Sequence, residues 1–230
     1  MKIDPETRHQ KLAQHIKFHL SFVEVDQVKF GIVTMMFCIY DLALILGLLS
    51  IYKMEFLWMV LPFIVILHLW GARLVIKNPY STQLETVLFL GVWGLLGAIS
   101  LWIMVQGMSY YNLHITSVIY YILIHISILL LGYIMVKYQF DKYSGDPMKE
   151  RKASNQSKYY GLLDVAPAMG YIIAQSVSDT VVLKHVLGLV LVYSFTVLMM
   201  YIGAKFLHRY FFIKLRQKTP TSRNVKGIAQ

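Results

Sequence analysis

The sequence contains a single cysteine and few charged residues. Cys38 is the only cysteine in the 230-residue chain, so no disulfide can form within it and no Cys/His cluster has zinc-binding spacing. Charged residues make up 15% of the chain and collect in short stretches, whereas hydrophobic residues make up 57%. A water-soluble domain of this size could not keep so much apolar surface away from water. The composition therefore indicates an integral membrane protein.

Known catalytic and nucleic-acid-binding motifs are also absent. The chain has no Gly-x-Ser-x-Gly, no His-Glu-x-x-His, no phosphate-binding glycine loop and no Cys-x-x-Cys. No aromatic-and-basic recognition motif accompanies the formal net charge of +10. We therefore expect no nucleic-acid binding and favour a non-enzymatic function; intramembrane hydrolysis by Ser/His or Asp/Asp residues stays an alternative that no spacing supports. We expect the basic residues to face anionic lipid headgroups instead.

Long apolar runs predict six transmembrane helices. Crossing about 30 Å of hydrocarbon takes about 20 helical residues. The predicted spans are residues 30–51, 56–76, 86–105, 115–135, 159–178 and 186–206. The fifth run is the weakest because it contains Asp164, Pro167 and Gln175. The sequence therefore predicts an all-α, polytopic membrane helix bundle.

The placement of Lys and Arg predicts the orientation of this bundle. With six spans and the N-terminus in the cytoplasm, all of the 22 basic residues except Lys53 and Lys184 fall in inner segments. If residues 159–178 did not cross, the basic tail would lie outside, against the positive-inside rule. We therefore expect the fifth run to cross and both chain ends to lie in the cytoplasm.

Three parts are expected along the chain. Residues 1–29 form a cytoplasmic part with a short interfacial amphipathic helix, residues 30–213 form the six-helix transmembrane domain, and residues 214–230 form a basic cytoplasmic tail. The interfacial helix is predicted from apolar residues that recur every three or four positions, namely Leu12, Ile16, Leu20 and Val23.

Two cytoplasmic segments are candidates for binding a protein partner: the polar loop of residues 136–158 and the basic tail. The bilayer itself, with its anionic headgroups, is the other expected partner. The pattern fits a bacterial inner membrane and a eukaryotic endomembrane or plasma membrane equally.

Small residues predict where helices approach each other most closely in lipid. They are concentrated in the third and fifth spans, at Gly91, Gly94, Gly97, Ala98, Ala166, Gly170 and Ala174.

Three ionisable residues lie near the middle of predicted spans. They are Asp41 in the first span, His68 in the second and His125 in the fourth. At 1.5 Å per residue, each lies roughly 15–18 Å from an end of its span, so all three are expected near the bilayer midplane. A charged side chain costs about 2.5 kcal/mol or more at that depth, which makes such residues candidates for function.

Three hypotheses explain these residues. In the first, Asp41, His68 and His125 line a protonatable path of a transport or channel component, with Arg73 at its inner mouth. In the second, they only hold together a membrane subunit or adaptor through interhelical hydrogen bonds. In the third, His68 and His125 ligate one haem iron. Apart from this alternative, no cofactor is expected.

Overall fold

The computed structural model describes residues 14, 16, 19, 25–143 and 180–217, with side chains for 14, 16, 19, 28–143 and 180–215. All regular secondary structure in these ranges is helical. The predicted span 159–178 and the tail beyond residue 217 lie outside the described residues, as does most of the N-terminal part.

Five long helices make up the described chain. Helix α1 begins with Val25–Thr34, continues as a π-helical segment at Met35–Asp41 and ends with Leu42–Ile51. Helix α2 is Met54–Ile76, and α3 is Pro79–Gly107 followed by the π-helical turn Met108–Asn112. Helix α4 is Val118–Tyr143 and α5 is Val181–Gln217. All five contain a stretch long and apolar enough to cross a membrane, so the fold is an all-α bundle that fits a membrane protein.

Tight turns connect the first three helices because residues suited to ending or starting a helix occupy them. Tyr52 adopts a left-handed conformation with φ of 52° and ends α1, leaving only Lys53 before α2. At the next turn, the Asn78 side chain accepts a hydrogen bond from the Tyr80 N–H, and Pro79 occupies the first helical position. Helices α1, α2 and α3 therefore form two consecutive antiparallel hairpins.

Several helices are longer than the predicted spans. Helix α3 starts at Pro79, seven residues before the predicted boundary, and α4 continues to Tyr143. The start of the predicted loop 136–158 is thus helical rather than irregular. Helix α5 likewise continues through Gln217, into the predicted tail. Hydropathy locates only the apolar part of each helix, whereas backbone hydrogen bonding continues beyond it into polar sequence.

Helix α3 is the central helix of the described bundle. Of its most apolar stretch, 61% is buried, compared with 33% or less for each of the other four helices. It packs most closely on α5 where glycines face each other: a Cβ on Gly94 would meet the Gly203 backbone and lie 2.8 Å from the Met199 carbonyl oxygen. The predicted small-residue contact surface of the third span is therefore present, with α5 as the partner. The corresponding residues 166–174 lie outside the described residues.

Contacts along the helices give their relative directions. Helix α5 runs antiparallel to α3, since Leu207 lies against Gly91 and Met108 against Gly188. It runs parallel to α4, since Tyr193 hydrogen-bonds to Ser127 in the first half of both helices. In the second half of both helices, His208 stacks on Tyr143 with ring centroids 5.3 Å apart.

The described residues of the N-terminal part, Gln14, Ile16 and His19, are helical. Ile16 and His19 are buried, and they pack with Tyr143 and Phe212 at the ends of α4 and α5. This contact anchors the N-terminal segment to the bundle.

Candidate functional site

Asp41 and His68 meet between α1 and α2. The Nε2 atom of His68 lies 3.0 Å from Oδ2 of Asp41, and Nδ1 of His68 lies 2.8 Å from the carbonyl oxygen of Ile64, one turn earlier in α2. Equal depth was predicted for these two residues, and the structure places them in direct contact.

The hydrogen bonds of this pair require one shared proton. The Ile64 carbonyl can only accept, so Nδ1 of His68 carries a proton and donates it. A second proton lies between Nε2 and Oδ2: either an imidazolium donates to a carboxylate, or a protonated carboxyl donates to a neutral imidazole. Without that proton, two lone pairs would face each other at 3.0 Å. Both protonated arrangements have zero net charge, which lowers the cost of placing the pair in hydrocarbon.

The backbone around Asp41 is specialised. Asp41 is the last residue of the π-helical segment Met35–Asp41. A π-helical turn holds more than 3.6 residues, and each additional residue rotates the following side chains by about 100°. Such segments are frequent at functional sites. The π segment therefore helps determine the direction in which Asp41 projects.

The pair is partly exposed on the surface of the described bundle. The side chains of His68 and Asp41 are 30% and 19% exposed, and the ring of Phe37 lies edge-on to His68 with centroids 5.8 Å apart.

His125 occupies a different environment on α4. Its Nδ1 lies 2.7 Å from the carbonyl oxygen of Tyr121, and its ring lies edge-on to Trp102 of α3 at 5.1 Å. Neither Asp41 nor His68 is among these contacts. Similar depth therefore did not bring His125 into hydrogen-bonding contact with the pair, because the rotation of α4 directs it toward α3.

The contacts of His68 would have to change for it to ligate one haem iron together with His125. Both ring nitrogens of His68 are engaged by Asp41 and Ile64, so ligation of iron through Nε2 would require its hydrogen bond to Asp41 to break. The exposed His125 would also have to face His68 across a porphyrin. Haem binding by His68 and His125 stays a prediction that absorbance spectroscopy can check.

Arg73 belongs to a separate polar group at the junction of α2 and α3. Its Nη2 lies 3.6 Å from Oε1 of Glu85, the same oxygen that accepts a 3.1 Å hydrogen bond from the Trp70 indole N–H. Arg73 follows His68 by five residues, which turns its side chain by about 140° around the helix. The sequence did not predict Glu85 as a partner of Arg73, because the apolar run of the third span begins only at residue 86. The Asn78-Pro79 pair, which is typical of a helix start, would have placed Glu85 inside the helix.

A second buried polar contact joins α1 to α3. The Tyr40 and Ser100 hydroxyls lie 3.0 Å apart, and Ser100 donates its proton to the Leu96 carbonyl at 2.9 Å. Tyr40 must therefore donate to Ser100. Neither hydroxyl carries charge, so this contact stabilises the α1–α3 interface without offering a site for proton uptake.

A third polar group was not anticipated from the sequence. His19 Nε2 and His208 Nδ1 lie 3.1 Å apart, and the His19 ring stacks on Tyr143 with centroids 3.7 Å apart. The pKa of His19 is lowered to about 3, first by burial and then by the positive charges of His208, Arg209, Lys205 and Lys142. His19 is therefore neutral at physiological pH.

The described chain is all-helical, its five long apolar helices fit an integral membrane protein, and an Asp–His pair joins two of them. Comparisons of the chain with protein-family models, with characterised proteins and with solved structures found no match.

Proposed function

We propose that the protein is a transport or channel component that moves protons, or a small solute coupled to protons, with Asp41 and His68 as its proton-binding residues. The observation that carries this proposal is the 3.0 Å contact between Oδ2 of Asp41 and Nε2 of His68. Asp and His groups inside membrane helices are typical of proton relays because their charge changes at modest cost.

His125 and Arg73 have secondary places in this proposal. His125 is a second proton-binding group on α4, and Arg73 is a charge at the inner mouth that lies beside Glu85. The exposed Arg73–Glu85 contact at 3.6 Å contributes little to stability, which leaves Arg73 able to change partners.

The proposal includes six transmembrane spans. What supports this number is the parallel direction of α4 and α5: Tyr143, at the end of α4, lies beside His208, whereas α5 starts at Val181. Twenty-seven residues of helix separate Val181 from His208, a rise of about 40 Å. The chain between Tyr143 and Val181 has to cover that distance, which is enough for one further crossing.

Lys and Arg placement supports a cytoplasmic location for both chain ends. With six crossings, Lys77 and the basic end of α5 fall on the same side as the N-terminus, opposite Lys53 and Lys184. The positive-inside rule assigns the more basic side to the cytoplasm.

The test is proton flux into proteoliposomes under a pH gradient and a membrane potential. Asp41→Asn keeps the shape of the side chain and its ability to hydrogen-bond His68, but it cannot take up a proton. Ser127→Ala is the matched control, since it removes an interhelical hydrogen bond to Tyr193 on another helix pair. We expect flux in the wild type and in Ser127→Ala, and a loss of at least tenfold in Asp41→Asn.

Two other outcomes have distinct meanings. Equal flux in the wild type and in folded Asp41→Asn would contradict the role of the pair. Absence of flux in all variants, under several gradients and solutes, would favour the alternative function, a membrane subunit or adaptor that copurifies with a partner.

A further inference from the structure

The ends of α4 and α5 near His208 enclose a polar region that the proton proposal does not use. Gln139 on α4 is 1% exposed, and neither its Oε1 nor its Nε2 has a hydrogen-bond partner among the described residues. A buried, unpaired amide is costly and is rarely found without a ligand or water to satisfy it. Gln139 precedes Tyr143 by one helical turn, so both side chains project toward α5.

Positively charged side chains occupy the same ends of α4 and α5 as this amide. Parallel packing places Gln139 level with Lys205, one turn before the His208 that contacts Tyr143. Arg209 is 6% exposed, and Lys142 lies over the ring of Tyr143. Burial first, then His208 and these three cations, lower the pKa of His19, so each cation lies in the vicinity of that ring.

The acidic residue on this part of α4, Asp141, lies on a different face of the helix from Gln139. Asp141 is exposed, and a separation of two residues from both Gln139 and Tyr143 turns it by about 200° to the opposite face. The region formed by Gln139, Lys142, Lys205 and Arg209, called here the inner cationic site, therefore combines cations with an unpaired amide.

We propose that the inner cationic site binds the phosphate group of an anionic phospholipid. Lysine, arginine and amide N–H groups are the donors that phosphate oxygens accept from. The apolar side chains beside the site, Val136 and Phe140, are 45% and 56% exposed and would contact the acyl chains of such a lipid. A dissolved phosphate has the same headgroup chemistry but gains nothing from these apolar side chains. This proposal does not depend on proton transport.

The experiment measures lipid binding to the purified full-length protein by native mass spectrometry. Phosphatidylglycerol is compared with phosphatidylcholine, and inorganic phosphate at millimolar concentration is added as a competitor. Lys205→Gln removes one cation, and Gln139→Leu removes the amide at similar volume. Lys214→Gln is the matched control, because Lys214 lies on the same helix but is exposed and bonded to Tyr210 at 3.3 Å.

We expect phosphatidylglycerol to bind wild type and Lys214→Gln about tenfold more tightly than phosphatidylcholine. Lys205→Gln and Gln139→Leu should each reduce the affinity for phosphatidylglycerol by about tenfold. This is the effect expected from losing one charge-assisted or buried hydrogen bond. Gln139→Leu should also unfold in lipid-free detergent at a temperature no lower than the wild type, because it removes an unpaired polar group.

Three results would overturn the proposal. The first is equal affinity of the wild type for the two lipids. The second is equal lipid binding by Lys205→Gln and Lys214→Gln. The third is displacement of phosphatidylglycerol by inorganic phosphate alone, which would make a soluble anion the ligand.

Discussion

Asp41 and His68 lie on neighbouring helices, and each satisfies the polar group that the other would otherwise expose to hydrocarbon. The contact joins Oδ2 to Nε2 at 3.0 Å and holds α1 against α2. Because the pair with its shared proton is neutral, it can reside in the membrane. The proposed transport role requires that a proton leave and re-enter this pair.

Mutual dependence of Asp41 and His68 is the first prediction. Asp41→Leu leaves His68 without its acceptor, and His68→Leu leaves a carboxyl without its partner, so each should destabilise the protein. The double variant should be more stable than the sum of the two losses predicts, by about 1 kcal/mol, within the range measured for interhelical hydrogen bonds in membranes. Unfolding in detergent measures these values. A coupling energy of zero would show that the residues do not interact.

Close packing of α3 on α5 gives the second prediction. A Cβ on Gly94 would lie 2.8 Å from the Met199 carbonyl oxygen, and one on Gly203 would lie 2.9 Å from the Leu95 nitrogen. Gly94→Ala should therefore separate the helices and cost about 1–3 kcal/mol in the free energy of unfolding. Gly31→Ala is the control, since a Cβ there would meet nothing within 4 Å. Similar losses for both substitutions would contradict the α3–α5 contact.

The side of the membrane on which each helix ends is the third prediction. In a Cys38→Ser background, single cysteines replacing Lys77 and Lys214 should react with a membrane-impermeant maleimide from the cytoplasmic side. Cysteines replacing Lys53 and Lys184 should react from the opposite side. Labelling of Lys184→Cys and Lys214→Cys from the same side would contradict a complete crossing by α5 and, with it, six spans.

Docking of the N-terminal segment should depend on pH. The pKa of buried His19 is lowered to about 3 from its usual value of 6.5. The docked N-terminal segment therefore favours the neutral form of His19. The equilibrium constant for docking is consequently at its maximum above pH 6.5. Docking should weaken by up to about tenfold for each pH unit below 6.5, until the pH approaches the docked value.

Spin labels at Gln14 and Lys214, both exposed, report this docking as a distance distribution in a Cys38→Ser background. A single short distance at pH 7.5 should be joined by longer distances at pH 5. His19→Phe retains an aromatic ring against Tyr143 but cannot be protonated, so its distribution should change less between these pH values than that of the wild type. The remaining change comes from His208, whose pKa burial also lowers. A wild-type distribution that is unchanged would contradict the burial of a neutral His19.

The sequence predicted the elements of this fold better than their arrangement. Apolar runs locate the described helices because crossing hydrocarbon requires about 20 apolar residues whatever the packing. The ends were misplaced wherever a helix continues through polar residues, as α3 does at Glu85 and α4 at Tyr143. The contact of Gly94 with Gly203 joins residues far apart in the chain, and local patterns do not reveal which distant helices pair.

Depth was predictable for the candidate site, but rotation was not. Counting residues placed Asp41, His68 and His125 at similar depth, and the first two do meet. A helix that is apolar on every side has no polar face to show which side packs on its neighbours. The sequence therefore did not show that His125 faces Trp102. Contact between His19 and His208 was also hidden, because it depends on where the N-terminal segment docks.

Nitrogen-15 NMR of the histidine rings tests the shared proton of Asp41 and His68 most directly. Among the eight histidines, the His68 signals are assigned by their loss in His68→Gln. We expect a protonated Nδ1, and an Nε2 whose signal changes in Asp41→Asn while the signals of the other histidines do not. A His68 spectrum that is identical in the wild type and Asp41→Asn would contradict the hydrogen bond and the proton-binding role built on it.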